Sequence, residues 1–417
     1  MDILVLGAGV IGVTTAYFLA RDGHRVTVVD RQPAAGLETS FANGSQIAAH
    51  GAGPWSAPGV PRNLLRWLGR EDAPLLLRPR AIPGLWRWGP QFLRNCTGER
   101  WRDNARAIHD LAALSWAELN ALVAEHAIAY DEVKRGILVV HRSRTALEEA
   151  ARTVERNASI GMAQRVLDRD ACIAAEPALA PSAGDIVGGI HSPDDQTGDC
   201  LKFTQALAEI CQRAGVRFLF GREIRSIARD GSVISGVTID GETLRAERYI
   251  LCFGSYSAGT AGRLGVRLPI YPVKGYSATV SVDGWNGAPT TSLIDETRKI
   301  GFSRLGNRLR MAGTAEFTGF DTQLSEARCA TLMDGLRDLF PSFPRERQPT
   351  LWTGLRPMTP DGRPLIGRNR IGNLIVNSGH GTLGWTLACG SARLVADIVA
   401  ERTPAIAIAP YRADRPQ

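Results

Sequence analysis

Residues 1–31 read MDILVLGAGVIGVTTAYFLARDGHRVTVVDR, and they decide the fold. Ile3, Leu4, Val5 and Leu6 form an apolar run of the length of a buried parallel strand. Gly7, Gly9 and Gly12 then make GxGxxG. Helical spacing follows from Val10 to Gly23, and Val26 to Val29 give a second apolar strand closing on Asp30. Each small residue plays its own part. Gly7 permits a tight turn, Gly9 a close approach to a pyrophosphate, and Gly12 the packing of helix on strand. Ala8, Val10 and Ile11 complete a helix N-terminus whose free N–H groups face the phosphates. Asp30 can accept from ribose hydroxyls, and Arg31 joins it at that end. The motif alone is weak; strand, helix, second strand and terminal acid together make it strong. These residues leave FAD and NAD both open.

Composition narrows the class. A chain of 417 residues with 44% hydrophobic content predicts two domains or one composite. No apolar run reaches the length of a membrane-spanning helix, and the first strand lacks the features of a signal peptide. Seven scattered cysteines without CxxC suggest buried thiols of a reducing cytosol, and no metal site. The net charge of +7 is concentrated over residues 62–106, where ten arginines face four acids among Trp67, Trp86, Trp88 and Trp101. Residues 63–126 read as helices, LLRWLGR and LWRWGPQFL among them. They serve either as an anionic-membrane contact or as packed Trp with a solvated Arg face. Nothing points to nucleic acid.

The loop-like residues 31–61 are placed to wrap the cofactor, with Ser40, Asn43, Gly44 and Gln46 offering hydroxyl, amide and bare backbone. Strands follow over 136–140, 216–220, 222–227 (with Ile224 facing the cofactor), 233–239 and 247–252, with helices over 146–160 and 203–214. Gly254 opens a turn that can approach a dinucleotide. Residues 271–317 read as short antiparallel strands, and helices follow over 325–339 and 383–400. In WTGLRPMTPDGRPLIG, Arg356 sits in a rigid setting suited to clamping a carboxylate; its alternative is an internal salt bridge to Asp361. In NSGHGTLGW, residues 381–384 offer N–H groups before a helix, and His380 either donates to a ligand or bonds backbone.

GAGVIG, ETSFANGSQI, PWSAPGVP, YPVKGYS, DETRKIGFSR, WTGLRPMTPDG and NSGHGTLGWTLACGS, in this order, carry a resemblance. The chain resembles the bacterial D-amino-acid dehydrogenases of the D-amino-acid oxidase and glycine oxidase superfamily. The resemblance implies an α/β and α+β chain. A Rossmann-like FAD-binding domain would comprise residues 1–85, 146–268 and 353–417. A discontinuous substrate domain of 86–145 and 269–352 would be built on a mixed, largely antiparallel sheet. It implies non-covalent FAD and oxidation of a small D-amino acid, or a cyclic D-imino acid, to an imino acid that water converts to a 2-oxo acid and ammonia. Hydride would pass from substrate Cα to flavin N5, and electrons on to a quinone or other respiratory acceptor. Peripheral attachment to the cytoplasmic side of the inner membrane is implied too. By this resemblance Arg356 binds the carboxylate, and Gly381, Thr382, Leu383 and Gly384 cover the flavin. Ser40, Asn43, Gly44 and Gln46 lie on its other side, while Tyr271, Lys274 and Tyr276 stand near the substrate mouth. Arg298 and Thr314 depart from the usual Tyr and Met, and both are expected at the pocket. Gly354 stands where sarcosine oxidases carry the cysteine that holds their flavin, which excludes attachment by that route. The rival readings are a secondary-amine substrate such as D-proline, hydroxyproline, sarcosine or an opine, a flavoprotein subunit of a larger complex, and an oxygen-using oxidase.

Overall fold

The structure is a computed structural model. It describes all residues except Ala52, Leu68, Asp72, Pro416 and Gln417. The loop expected over 31–61, the basic stretch over 62–106 and the expected domain segments 1–85 and 353–417 therefore each contain positions outside the described residues.

The first strand, Asp2–Leu6, is the centre of a six-stranded sheet. It pairs in parallel with Arg25–Val29 on one side and Arg248–Leu251 on the other. Arg217–Leu219 and Leu374–Ser378 extend the sheet in parallel, and Leu365–Arg368 closes one edge antiparallel. A chain that must cross over between parallel strands needs covering helices. Here Val10–Arg21, Cys200–Arg213, Gly98–His126 and Gly384–Val399 share one core with the sheet. The last two cross closely: a Cβ on Gly390 would lie 2.8 Å from the Leu111 carbonyl oxygen. The other face packs a three-stranded antiparallel sheet of Ile224–Asp230, Val233–Ile239 and Glu242–Leu244. Gly12 is fixed by contact. Its Cβ would sit 1.8 Å from the Gly7 carbonyl oxygen, so no other residue lets the helix lie this close to the turn.

The second sheet has nine strands. In spatial order they are Thr350–Met358, Tyr271–Ser281, Arg308–Phe317, Ile300–Leu305, Ser292–Asp295, Ile137–His141, Gly188–Ser192 and Arg165–Asp168, with Leu75–Leu77 beside Arg308–Phe317. It is mixed: Ser292–Asp295 runs parallel to Ile137–His141, and most other pairs are antiparallel. Helix Glu326–Leu339 covers one face with Leu332, Leu336 and Leu339. The fold class is the one the sequence predicts.

Sheet membership departs from the expected boundaries. Arg165–Asp168 and Gly188–Ser192, expected in the dinucleotide-binding part, pair within the large sheet. Thr350–Met358 straddles the expected boundary at 353 and belongs wholly to the large sheet. Helix Gly98–His126, expected in the substrate part, packs into the core of the dinucleotide-binding sheet. Residues 62–106 are not all helix either. Leu75–Leu77 forms a strand because its apolar run pairs with Ala315, Glu316 and Phe317.

Candidate functional site

The two sheets enclose one large cavity of about 940 Å³. One end is the first strand–turn–helix. Gly7, at φ 110°, donates its N–H to Val29 O. Ser40 Oγ accepts from the Val10 N–H at 3.0 Å, which pins the loop to the first turn of the helix. The Asp30 carboxylate accepts from the Ala8 N–H at 2.6 Å and the Gln32 N–H at 2.8 Å, and burial pushes its pKa up. Arg31 pairs with Glu38 at 2.6 Å and lies over the Tyr256 ring at 4.4 Å. Gly7, Gly9, Val10, Ile11, Asp30, Arg31, Ile224 and Gly254 all line the cavity; Ala8 and Gly12 shape the turn behind it.

The loop after Asp30 crosses to the large sheet and is held there. Asn43 Oδ1 accepts from the Ser45 N–H at 2.9 Å, and the Gly44 carbonyl accepts from Ser303 Oγ at 2.7 Å. Gln46 donates its amide to Ser292 Oγ at 2.9 Å, so its side chain anchors the loop as well as lining the cavity. Opposite stands the turn Gly379–Gly381, with both glycines at positive φ. The helix Gly384–Val399 begins there, and its first N–H groups have no intrahelical acceptor. Gly381, Thr382, Leu383 and Gly384 line the cavity. His380 lines it too, with Nε2 buried and unpartnered. Burial holds its pKa down at about 3, so the imidazole is neutral. Asn377 Oδ1 is a second buried polar atom without a partner on this wall.

Arg356 faces the same space from the strand Thr350–Met358. Its Nη1 donates to the Thr314 carbonyl at 2.9 Å, and its Cζ lies 5.8 Å from the centre of the Trp55 ring. No carboxylate pairs with it among the described residues. Asp361, the alternative partner, is taken by Arg363 and Arg415, each at 2.9 Å. Burial, reinforced by Arg328, draws the guanidinium pKa down to about 10. A cation held in this condition gains from any anion that arrives. Gly275 makes room for it: a Cβ there would lie 2.4 Å from Arg356 Cζ.

Two expected substrate-side residues, Tyr271 and Lys274, are elsewhere, while Tyr276 is among the residues that line the cavity. Successive side chains alternate across a sheet. Gly275 and Arg356 face the cavity, so the Lys274 side chain projects to the other face. The Tyr276 hydroxyl donates to Glu316 Oε2 at 2.5 Å. Lys274 Nζ sits 3.2 Å from Glu316 and donates to the Gln323 carbonyl at 3.0 Å. Tyr271 packs with Trp88 and Phe317 in an apolar cluster outside the cavity. Arg298 pairs with Asp338 at 3.3 Å and does not line the cavity, while Thr314 serves through its carbonyl. Sequence reasoning missed Trp55, Trp352 and Gly275 in the wall. A glycine inside each of two strands, in VKGYS and WTGLR, was the available signal, since strand glycines mark close approaches.

The cavity fits a dinucleotide by its glycine turn, its volume and its orphaned polar atoms. Comparison with known proteins agrees. The model of the DAO family, FAD dependent oxidoreductase, matches residues 2–398. The D-amino acid dehydrogenase of Methylobacterium nodulans is 49% identical over 408 residues, covering 98% of this chain and 97% of that protein. The D-amino acid dehydrogenase of Bradyrhizobium diazoefficiens is 45% identical over 415 residues, covering 100% and 99%. Glycine oxidase from Geobacillus kaustophilus shares the fold with a TM-score of 0.78 at 24% identity, over 100% of this chain and 99% of that one. L-proline dehydrogenase from P. horikoshii shares it with a TM-score of 0.77 at 16% identity, over 99% and 96%.

Two outcomes follow from this geometry. Gly275→Ala displaces the guanidinium from its bed. Losing one charge-assisted hydrogen bond then weakens binding of a monocarboxylate such as propionate about tenfold or more, read by tryptophan fluorescence titration. Unchanged affinity contradicts the bed. The second concerns Asp195, 1% exposed, which accepts from the N–H groups of His50 at 2.8 Å and Gly51 at 3.2 Å and ties down the segment leading to Trp55. Burial raises its pKa from 3.8 to about 7. A folded pKa above the unfolded one makes stability fall as pH rises through that window. Asp195→Asn therefore flattens stability between about pH 4 and 7 in denaturant titrations; an unaltered slope refutes it.

Proposed function

Because the chain belongs to the FAD-dependent oxidoreductase family, we propose that it oxidises a D-amino acid to the imino acid, which water converts to a 2-oxo acid and ammonia. The observation that carries this reading is the Arg356 guanidinium, set into the cavity wall with no carboxylate partner among the described residues. A substrate carboxylate supplies the missing charge in a bidentate pair. Gly7, Gly9 and the helix N-terminus at Val10 would hold the pyrophosphate, Asp30 the ribose, and residues 44–46 and 381–384 would flank the ring. When bound, non-covalent FAD supplies the acceptor for the hydrogen and electron pair leaving the substrate Cα.

The chain's own work is positioning. Arg356 fixes the carboxylate, which leaves the Cα–H with one direction to point. Neutral His380 can exchange a hydrogen bond without adding a charge near the substrate amine.

Electron delivery to a membrane quinone is supported by one surface. Ile82, Trp86 and Leu93 are 55%, 66% and 50% exposed, beside exposed Arg87 and Arg94. Arg87 lies over the Trp86 ring at 4.2 Å. Aromatic, apolar and cationic groups together suit an anionic lipid surface. The other tryptophans of this stretch differ: Trp88 is packed inside, and Trp101 donates to Pro54 O at 3.3 Å. Among the described residues, no helix is long and apolar enough to cross a membrane.

The test is anaerobic. The purified yellow protein should bleach with D-amino acids and not with their L-enantiomers. Arg356→Ala should lower kcat/KM about 100-fold while FAD content holds, the size expected for losing a charge-assisted pair. A protein whose colour no amino acid bleaches refutes the reading.

A further inference from the structure

The loop that leaves Asp30 meets the large sheet over a buried cation. Arg310 is 4% exposed and stands on the strand Arg308–Phe317, paired with Thr279 on one side and Ser303 on the other. Two residues along the same face, Ala312 lines the cavity, and a Cβ on Gly44 would lie 3.7 Å from it. Arg310 therefore points toward the cavity and stops short of it, with Asn43, Gly44 and Ser45 lying over it. Its Nη1 donates to Ser45 Oγ at 3.1 Å and to the Asn43 carbonyl at 3.5 Å, and its Nε to Thr279 Oγ1 at 3.1 Å.

None of these acceptors requires a full charge. A neutral amide would satisfy two hydroxyls and a carbonyl without the cost of burying a guanidinium. Nor does the charge find a counterion of its own. Among the described residues only the Asp199 carboxylate comes within ion-pair reach, at 4.0 Å. It already accepts from Arg308 at 2.8 Å, and from the Leu201 and Lys202 N–H groups at 3.0 and 3.3 Å as the cap of the helix Cys200–Arg213. Burial pushes the Arg310 pKa down, and Asp199 offsets part of that. Across the cavity, His380 is neutral. Arg310 thus leaves positive potential on the wall formed by residues 43–45.

We infer that Arg310 is a positioning residue for the reaction: acting through the loop of residues 43–45, it makes the neighbouring part of the cavity favourable to negative charge, so that bound flavin is easier to reduce. This rests on the reading that residues 44–46 flank the ring. In the proposed oxidation the Cα–H bond breaks and its electron pair leaves with the hydrogen. The amine nitrogen shares its lone pair to form C=N and becomes cationic, and one negative charge is left on the acceptor. A fixed cation behind the wall stabilises that charge without reorganising at the moment of transfer.

The experiment measures the two-electron midpoint potential and the sulfite affinity of the full-length, FAD-loaded protein without oxygen. Sulfite bleaches a flavin more readily where the site favours negative charge. Arg310→Met should lower the equilibrium constants for reduction and for sulfite binding about tenfold, the former a drop of about 30 mV. Arg310→Lys keeps the charge and should stay within about threefold of the natural protein. Asp199→Asn still caps its helix but no longer draws on the guanidinium, so it should raise both constants about threefold or more. Loosened packing does not produce a rise, so this variant separates charge from tethering and does not depend on Arg310→Met folding. Constants unmoved in Arg310→Met, a loss in Arg310→Lys as deep as in Arg310→Met, or no rise in Asp199→Asn overturns the inference. Failure of the underlying reading looks different: the protein takes up no FAD, or Gly44→Val leaves the visible spectrum of the bound flavin unchanged.

Discussion

The site depends on one unbalanced charge. Arg356 stands in the wall of a cavity that holds no acid near it, and burial lowers its hold on its proton. Elsewhere among the described residues, buried arginines are held by more partners. Arg415 meets Asp361, and Arg328 donates to the carbonyls of Glu71, Ala73 and Ala315. Arg356 has carbonyls of Thr314 and Lys274 for orientation and nothing for charge. A fold keeps such a group because a ligand completes it.

The rest of the architecture serves that meeting. The parallel sheet supplies a phosphate turn on one side, and the mixed sheet presents the guanidinium on the other. The loop from Arg31 onward joins them, with Ser40 bonded to the first helix and Gln46 to the strand Ser292–Asp295. Two strand glycines remove the side chains that would hold Arg356 and Trp352 away from the wall. One space thereby offers anions a helix N-terminus at one end and a full charge at the other.

Much of this was legible before any coordinates. The first 31 residues combine period, glycine spacing and a terminal acid, and each is a local signal. Arg356 was legible because its neighbours Gly354 and Pro357 leave it little freedom. Lys274 was misplaced because sequence proximity to a site says nothing about which face of a strand a side chain takes; a shift of one residue reverses it. The strand Gly188–Ser192 was hidden because GGIHS looks like a turn, and only pairing with Ile137–His141 gives it its conformation. The aromatic wall was hidden for a similar reason: Trp55 and Trp352 are almost 300 positions apart, and only the folded chain brings both to Arg356.

The central claim is that Arg356 recognises a negative charge on the substrate. The most direct measurement compares anaerobic flavin reduction by D-phenylalanine and by D-phenylalaninamide, which lacks that charge, in the natural protein and in Arg356→Met. The account predicts a strong preference for the acid in the natural protein and nearly equal rates in the variant. An undiminished preference in the variant would contradict it.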